Sequence, residues 1–369
     1  MRLCVNVPVL ARLAVVFMSV LLAGNRPVAA AASESDLARL NQAVTVNHTL
    51  PRYEFMANAT GRLKSSAREF CRIPDRGSLR LLRDSFHETL DTWSEVNHIH
   101  FGRIMADKRY MRLFAWPDDK QLVGRSLDKR IKALLADKTP TKAGSRIDAG
   151  AFEPEIQGFP ALGRLLFGAD SERLLKGDAM ARVRCRLVVA IAANIARIAQ
   201  QNIAEWREGP QAFAKLIETA GEPGNTRFPT VGSATKKYLD SLQESLRIIA
   251  DEKLPRIVKA ESNMDEVRKL ECVYSNRPLR NVMINLRAIY GLYRGEDGFG
   301  FDDILLMDTG SGAGGLLYNR IQKAFVEAIR TASNLVETGV PMAGDAQMAL
   351  KIDDLRQKVA ALAAMFDEY

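Results

Sequence analysis

Ala181-Arg182-Val183-Arg184-Cys185-Arg186-Leu187-Val188-Val189-Ala190-Ile191-Ala192-Ala193-Asn194-Ile195-Ala196-Arg197-Ile198 is the stretch that decides the fold. Val188, Ile191, Ile195 and Ile198, continued by Trp206, recur on one face of an α-helix and do not alternate as a strand would. The pattern predicts a long helical segment from Ser171 to Gly209, well beyond the ~11–12-residue mean helix. The same period appears after Leu79, in Leu82, Phe86, Leu90, Trp93 and Val96. It returns in Leu317, Ile321, Phe325, Ala328, Ala332 and Leu335, and in a final segment, Ala346 to Phe366, through Leu350, Leu355, Val359, Leu362 and Met365. Stripes of this width bury one face against neighbouring helices. The fold class is therefore all-α, built of helical bundles.

Breaks fall where helices should end. Pro74-Asp75-Arg76-Gly77-Ser78 divides two long helices, and Lys138 to Gly144 sits in a less periodic region, Ala115 to Pro154. Gly209-Pro210 closes the central helix, and Gly221-Glu222-Pro223-Gly224-Asn225 follows. A boundary near residues 207–230 leaves an N-terminal bundle, 31–206, and a C-terminal bundle, 207–369. The glycine-rich stretch Gly295 to Gly315 lacks the G-x-x-x-x-G-K-[ST] arrangement and follows no strand, so it reads as a connector and not a phosphate loop.

Residues 1–30 read as a secretory signal peptide. Arg2 and Arg12 precede or open a short apolar run, Leu13 to Gly24, and Pro27-Val28-Ala29-Ala30-Ala31-Ala32 offers small-residue cleavage sites after Ala30 or Ala32. The run is shorter than the ~20 apolar residues of a spanning helix, and no later segment qualifies, so the mature chain is expected to carry no transmembrane segment. Cys4 lies ahead of the apolar run, which does not suit a lipid-anchored protein. Removing Arg2, Arg12 and Arg26 with the signal lowers the formal charge from +8 to +5, a dispersed surplus that gives no basis for nucleic-acid binding.

Three cysteines remain after processing, with no C-x-x-C pair for zinc or redox work. Cys71 ends a helix whose stripe includes Met56, Leu63 and Phe70, and Cys185 shares a face with Val188 and Ile195. An oxidising compartment permits a Cys71–Cys185 disulfide, or else two buried thiols, with Cys272 unpaired.

Ile156-Gln157-Gly158-Phe159-Pro160-Ala161-Leu162-Gly163-Arg164-Leu165-Leu166-Phe167-Gly168 resembles the signature segment of the imelysin family, bacterial cell-envelope proteins first described as insulin-cleaving peptidases. That segment carries a G-x-H-x-x-E motif whose His and Glu are taken to be metal ligands. Here Pro160 and Gly163 stand in those two slots, and neither side chain offers a donor atom. Further patches are similar to the family in the expected order. They are His48-Thr49-Leu50-Pro51-Arg52-Tyr53, Trp93-Ser94-Glu95 with Phe101-Gly102, and Arg109, Arg112, Trp116, Pro117 and Asp118. Arg184-Cys185 with Ala192-Ala193-Asn194-Ile195, and Pro278-Leu279-Arg280-Asn281 with Asn285-Leu286-Arg287-Ala288, complete the set.

The resemblance implies two helical bundles, residence in the periplasm and a part in iron acquisition beside other envelope iron-uptake components. The missing motif ligands turn that into a non-enzymatic binding or accessory role, with no catalytic residues and at most a weakly bound divalent metal such as iron or zinc. The expected ligand-binding residues are Gly158, Phe159, Trp93, Glu95, Arg109 and Arg112. A metallopeptidase with ligands outside the signature, or a structural partner of an envelope complex, are the rival readings.

Other chemistry is sparse. His48, His87, His98 and His100 are the only histidines, and no H-E-x-x-H occurs. His87 and Asp91, four apart, read as a solvated hydrogen-bonded pair on the flank of a buried stripe. His98 and His100 converge only if the helix unwinds before Phe101-Gly102. Asp302 and Asp303 point ~100° apart on a helix and suit its N-terminal charge better than a carboxylate dyad.

Overall fold

The computed structural model describes residues 32–137, 147–260, 264–307, 312–338 and 346–369, and among them every regular element is helical. The proposed signal peptide, the Lys138–Gly144 segment and the first part of the Gly310–Gly315 run lie outside the described residues.

The chain enters through α1 (Glu34–Ala43), started by a capping box in which Ser33 and Asp36 satisfy each other's backbone N–H. α1 runs without a break through a π-helical turn, Val44–Thr49, into α2 (Leu50–Arg72). Pro51 explains the turn. Proline has no N–H and its ring crowds the carbonyl four residues back, so the helix must widen to pass it. Within that turn the Thr49 hydroxyl donates to Val44 O, 3.1 Å away. The same device recurs far along the chain. A π-helical turn, Ile248–Lys253, again precedes Leu254-Pro255-Arg256, as the first precedes Leu50-Pro51-Arg52.

α3 (Arg76–Val96) starts at Asp75, whose carboxylate accepts from Ser78 N. Short α4 (Arg109–Leu113), α5 (Leu122–Ala136) and α6 (Phe159–Phe167) follow, then α7 (Ala179–Arg207). α2 packs on both α3 and α7. After α8 (Phe213–Glu218), α9 (Val231–Arg247), α10 (Leu254–Ala260), α11 (Met264–Val267), α12 (Pro278–Tyr293), α13 (Phe301–Leu306), α14 (Ala313–Thr338) and α15 (Ala346–Met365) form a second packed set. α1 lies against α9, and α3 packs on α12, so the two sets of helices share one continuous apolar core. Trp93 and Trp206 are both fully enclosed in it.

The α3 stripe, the α7 stripe and the α14 stripe named from the sequence are buried at every position. Three readings differ. The segment from Ser171 is not one helix, because Gly177 takes φ +68° and Asp178 caps a fresh start at Ala179. The less periodic region after Ala115 contains α5, which buries Val123, Leu127 and Ile131. In α15 Leu350 is 72% exposed, and the buried register is Met348, Ile352, Leu355, Val359 and Leu362.

Cys71 and Cys185 are joined in a disulfide that ties the end of α2 to α7, their Cα atoms 5.6 Å apart across 114 residues of sequence. Cys272 is the free thiol of the described residues. Closing a loop this long restricts the unfolded chain, so reduction, or Cys71→Ser, should lower unfolding stability by about 4 kcal/mol. Urea titration followed by circular dichroism checks this, and coincident midpoints with and without reductant would remove the disulfide's structural role.

Candidate functional site

The signature segment is fixed before it reaches any cavity. Gly158 precedes α6 in extended geometry, and a Cβ there would stand 2.0 Å from the Leu113 carbonyl oxygen and 2.5 Å from that of Arg112. Only glycine lets the head of α6 meet the end of α4. Pro160 follows in the first helical turn, where a missing N–H costs nothing. Gln157 anchors the approach. Its Oε1 accepts from Arg112 Nε (2.7 Å), its Nε2 donates to Phe152 O, and its backbone oxygen accepts from Asn194 Nδ2 at 3.0 Å.

α6 then forms one wall of a cavity of about 250 Å³. Pro160 and Gly163 face it beside Phe86 and Phe159, and Trp116, Cys272 and Tyr274 stand among the other lining residues. A Cβ on Gly163 would lie 3.3 Å from the Phe86 ring, so the position has little spare room. Four cationic side chains, Arg125, Arg164, Arg268 and Lys269, line the cavity against two carboxylates, Asp118 and Asp128. Both carboxylates are engaged. Asp128 takes a two-pronged bond from Arg164 at 2.8 and 2.9 Å, and Asp118 accepts from the Leu122 and Val123 amides at the start of α5. The cavity is thus aromatic in its walls, with more cations than carboxylates in its lining, although Arg164, Arg268 and Lys269 pair with Asp128, Asp265 and Glu266. Burial pushes the Cys272 thiol far above its ordinary range, so it faces this space as a neutral group.

The structure distributes the six expected ligand-binding residues over several places. Gly158 and Arg112 hold the head of α6, and Phe159 lines the cavity. Trp93 packs behind, its ring centre 6.2 Å from that of Phe159. Arg109 is buried and grips Glu205 through two bonds of 2.8 and 2.9 Å. Glu95 lies apart from the cavity lining; burial raises its pKa, opposed by nearby Arg52. Trp116 and Asp118 belonged to a recognisable sequence patch, whereas the segment from Arg268 to Ser275 carries no motif that could have marked it.

The histidines lie elsewhere. His87 stacks on Phe167 with ring centres 4.8 Å apart, and Asp91 turns to Arg277 and Arg280 of the opposite helix set, so the expected His87–Asp91 pair gives way to longer-range partners. His48 and His98 are buried with Nε2 atoms 2.7 Å apart, and His48 Nδ1 stands 2.7 Å from Glu296 Oε1. Arg52 also reaches that oxygen, at 2.7 Å, which makes the carboxylate the acceptor. His48 therefore carries its proton on Nδ1, His98 carries one on Nε2, and His98 Nδ1 is left as a buried lone pair without a partner. Among the described residues no three His, Cys, Asp or Glu side chains converge to hold a metal ion. No helix among them is long and apolar enough to cross a membrane.

An all-helical chain of paired helix sets, with a signature helix walling an aromatic cavity, defines the class. The protein belongs to the imelysin (peptidase M75) family, which residues 49–367 match. Among solved structures it is similar to an iron-regulated protein A precursor from Parabacteroides distasonis, with a TM-score of 0.73, 15% identity, and coverage of 91% of this chain and 95% of that one. It is also similar to an imelysin-like protein from Psychrobacter arcticum, with a TM-score of 0.71, 14% identity, and coverage of 90% and 94%. At these identities the likeness establishes the fold. No curated protein matches the chain.

Two outcomes follow from this geometry. Gly158→Ala should cost about 3 kcal/mol, because the clash is with backbone, whereas Gly163→Ala should stay within about 1 kcal/mol since the Phe86 ring has only tenths of an ångström to yield. Thermal melts of the two variants compare them, and equal melting temperatures would refute the wedge at the head of α6. Burial, with Arg52 nearby, holds His48 and His98 well below the ordinary imidazole value. The unfolded chain takes up protons near about pH 6.5 while the folded chain does not, so stability is full above that value and declines as pH falls below it. The slope of urea midpoint against pH should flatten in His98→Gln. An unchanged slope would mean that these imidazoles are not the source.

Proposed function

We propose that this protein is a secreted, non-enzymatic binding component of iron acquisition in the bacterial cell envelope. Residues 1–30 would direct export, and the mature chain would reside in the periplasm as two bundles, 31–206 and 207–369. The observation that carries the reading is the α6 wall, where Pro160 and Gly163 face the cavity without a donor atom. A catalytic metal commonly needs about three protein ligands and an open position, and this pair supplies none. Among the lining cations Arg125 bonds to the Lys120 backbone carbonyl and not to a carboxylate, and its charge favours an anion over a bare cation. Ferric iron chelated by carboxylates is such an anion, with Phe86, Phe159 and Trp116 as its apolar floor. The structural likeness to an iron-regulated protein precursor supports the iron context.

The test measures affinity of the mature chain for zinc, iron(II) and ferric citrate, beside a Pro160→His/Gly163→Glu double variant. The natural chain should bind ferric citrate and take the bare ions weakly, and the double variant should gain at least about tenfold in zinc affinity. Equal zinc binding by the two proteins would move any metal site away from α6. Cleavage of an unfolded protein substrate that a chelator stops, and that a histidine substitution abolishes, would establish the metallopeptidase instead.

A further inference from the structure

A second cavity, of about 340 Å³, lies on the far side of Phe114 and Trp116, which line both spaces. Its charge balance is reversed. Glu244, Glu252 and Glu271 line it, against the single ammonium of Lys253. Lys253 is itself anchored, with Nζ 2.9 Å from Glu271 Oε1 and 2.8 Å from Asn285 Oδ1. Asn285 in turn donates to Ser94 O and Asn97 Oδ1, so the floor of the cavity is a fixed polar network. Glu271 is only 3% exposed, and its second oxygen, Oε2, has no hydrogen-bond partner. A buried carboxylate oxygen left unpaired is costly, and a ligand N–H placed against it recovers that cost. The rim adds the Tyr110 ring, whose face attracts cations, and the Trp116 ring, which already carries Lys253 and Arg256 at 5.8 and 5.6 Å from its centre.

We infer that this second cavity binds a small organic cation, an alkylammonium whose N–H groups donate to Glu271 Oε2 while its carbon chain lies along Tyr110, Phe114 and Trp116. A bare divalent ion fits the space less well. Calcium takes six to eight oxygens, whereas no three acidic, thiol or imidazole side chains converge among the described residues. An ammonium group needs no more than three acceptors, and its stem gains from aromatic surface. Glu244, whose Oε2 lies 3.3 Å from His100 Nδ1, and Glu252, paired with Arg256 at 3.0 Å, stand at the mouth already partnered, which leaves Glu271 Oε2 as the acceptor for a ligand.

Titration calorimetry of the mature chain with putrescine tests the assignment, with calcium and propionate as controls. Putrescine should give saturable heat and propionate none. Glu271→Gln should weaken putrescine binding by at least about tenfold, and the more exposed Glu244→Gln by a smaller factor that does not depend on the buried ion pair surviving. Asp128→Asn, in the first cavity, should leave putrescine binding unaltered. The inference is overturned if millimolar putrescine gives no saturable heat, or if neither glutamate variant weakens it. Calcium binding more tightly than putrescine, and lost in Glu271→Gln, would overturn it equally by making the cavity a metal site.

Discussion

At the head of α6 the chain passes a point where only a hydrogen atom fits. The carbonyls of Arg112 and Leu113 close on the Gly158 Cα, and everything downstream inherits that contact. It sets the direction of α6, brings Pro160 and Gly163 to the cavity wall, and leaves Gln157 where Arg112 and Asn194 can hold it. Arg112 therefore meets the signature segment twice, through its carbonyl and through its guanidinium. The polar bonds of Gln157 act on the approach to the helix.

Trp116 organises the space beyond. Its indole N–H donates to Lys269 O at 3.1 Å, and its ring carries Lys253 and Arg256 within 6 Å of its centre, at 5.8 and 5.6 Å. One aromatic side chain thus pins the segment around Lys269 and also divides two cavities of opposite charge balance. The division has a plain electrostatic logic, since the two spaces would attract oppositely charged groups at short range.

Much of this was legible in the sequence, for physical reasons that can be named. The α3, α7 and α14 stripes are long enough for their period to fix which face is buried. The α15 register misled because that helix is rich in alanine, so Leu350 and Met348 both lie close to a plausible stripe. Packing against α14 selects the latter. The cavity wall from Arg268 to Ser275 and the Asp91 partners Arg277 and Arg280 depend on contacts between segments far apart in the chain, which local period cannot encode. The paired π-helical turns ahead of Leu-Pro-Arg are a middle case. The tripeptide is visible twice in the chain, but the widened turn before it appears only once the proline ring is placed inside a continuous helix.

The bond between Cys71 and Cys185 has a topological side as well. It makes a covalent ring of everything from the end of α2 to the first turns of α7, and the signature segment lies wholly inside that ring. A protease that cuts the chain once between those cysteines opens the ring without releasing a fragment. In an oxidising compartment the molecule would therefore survive such a nick as a single covalent body, with α6 still tethered on both sides to the helices that shape its cavity.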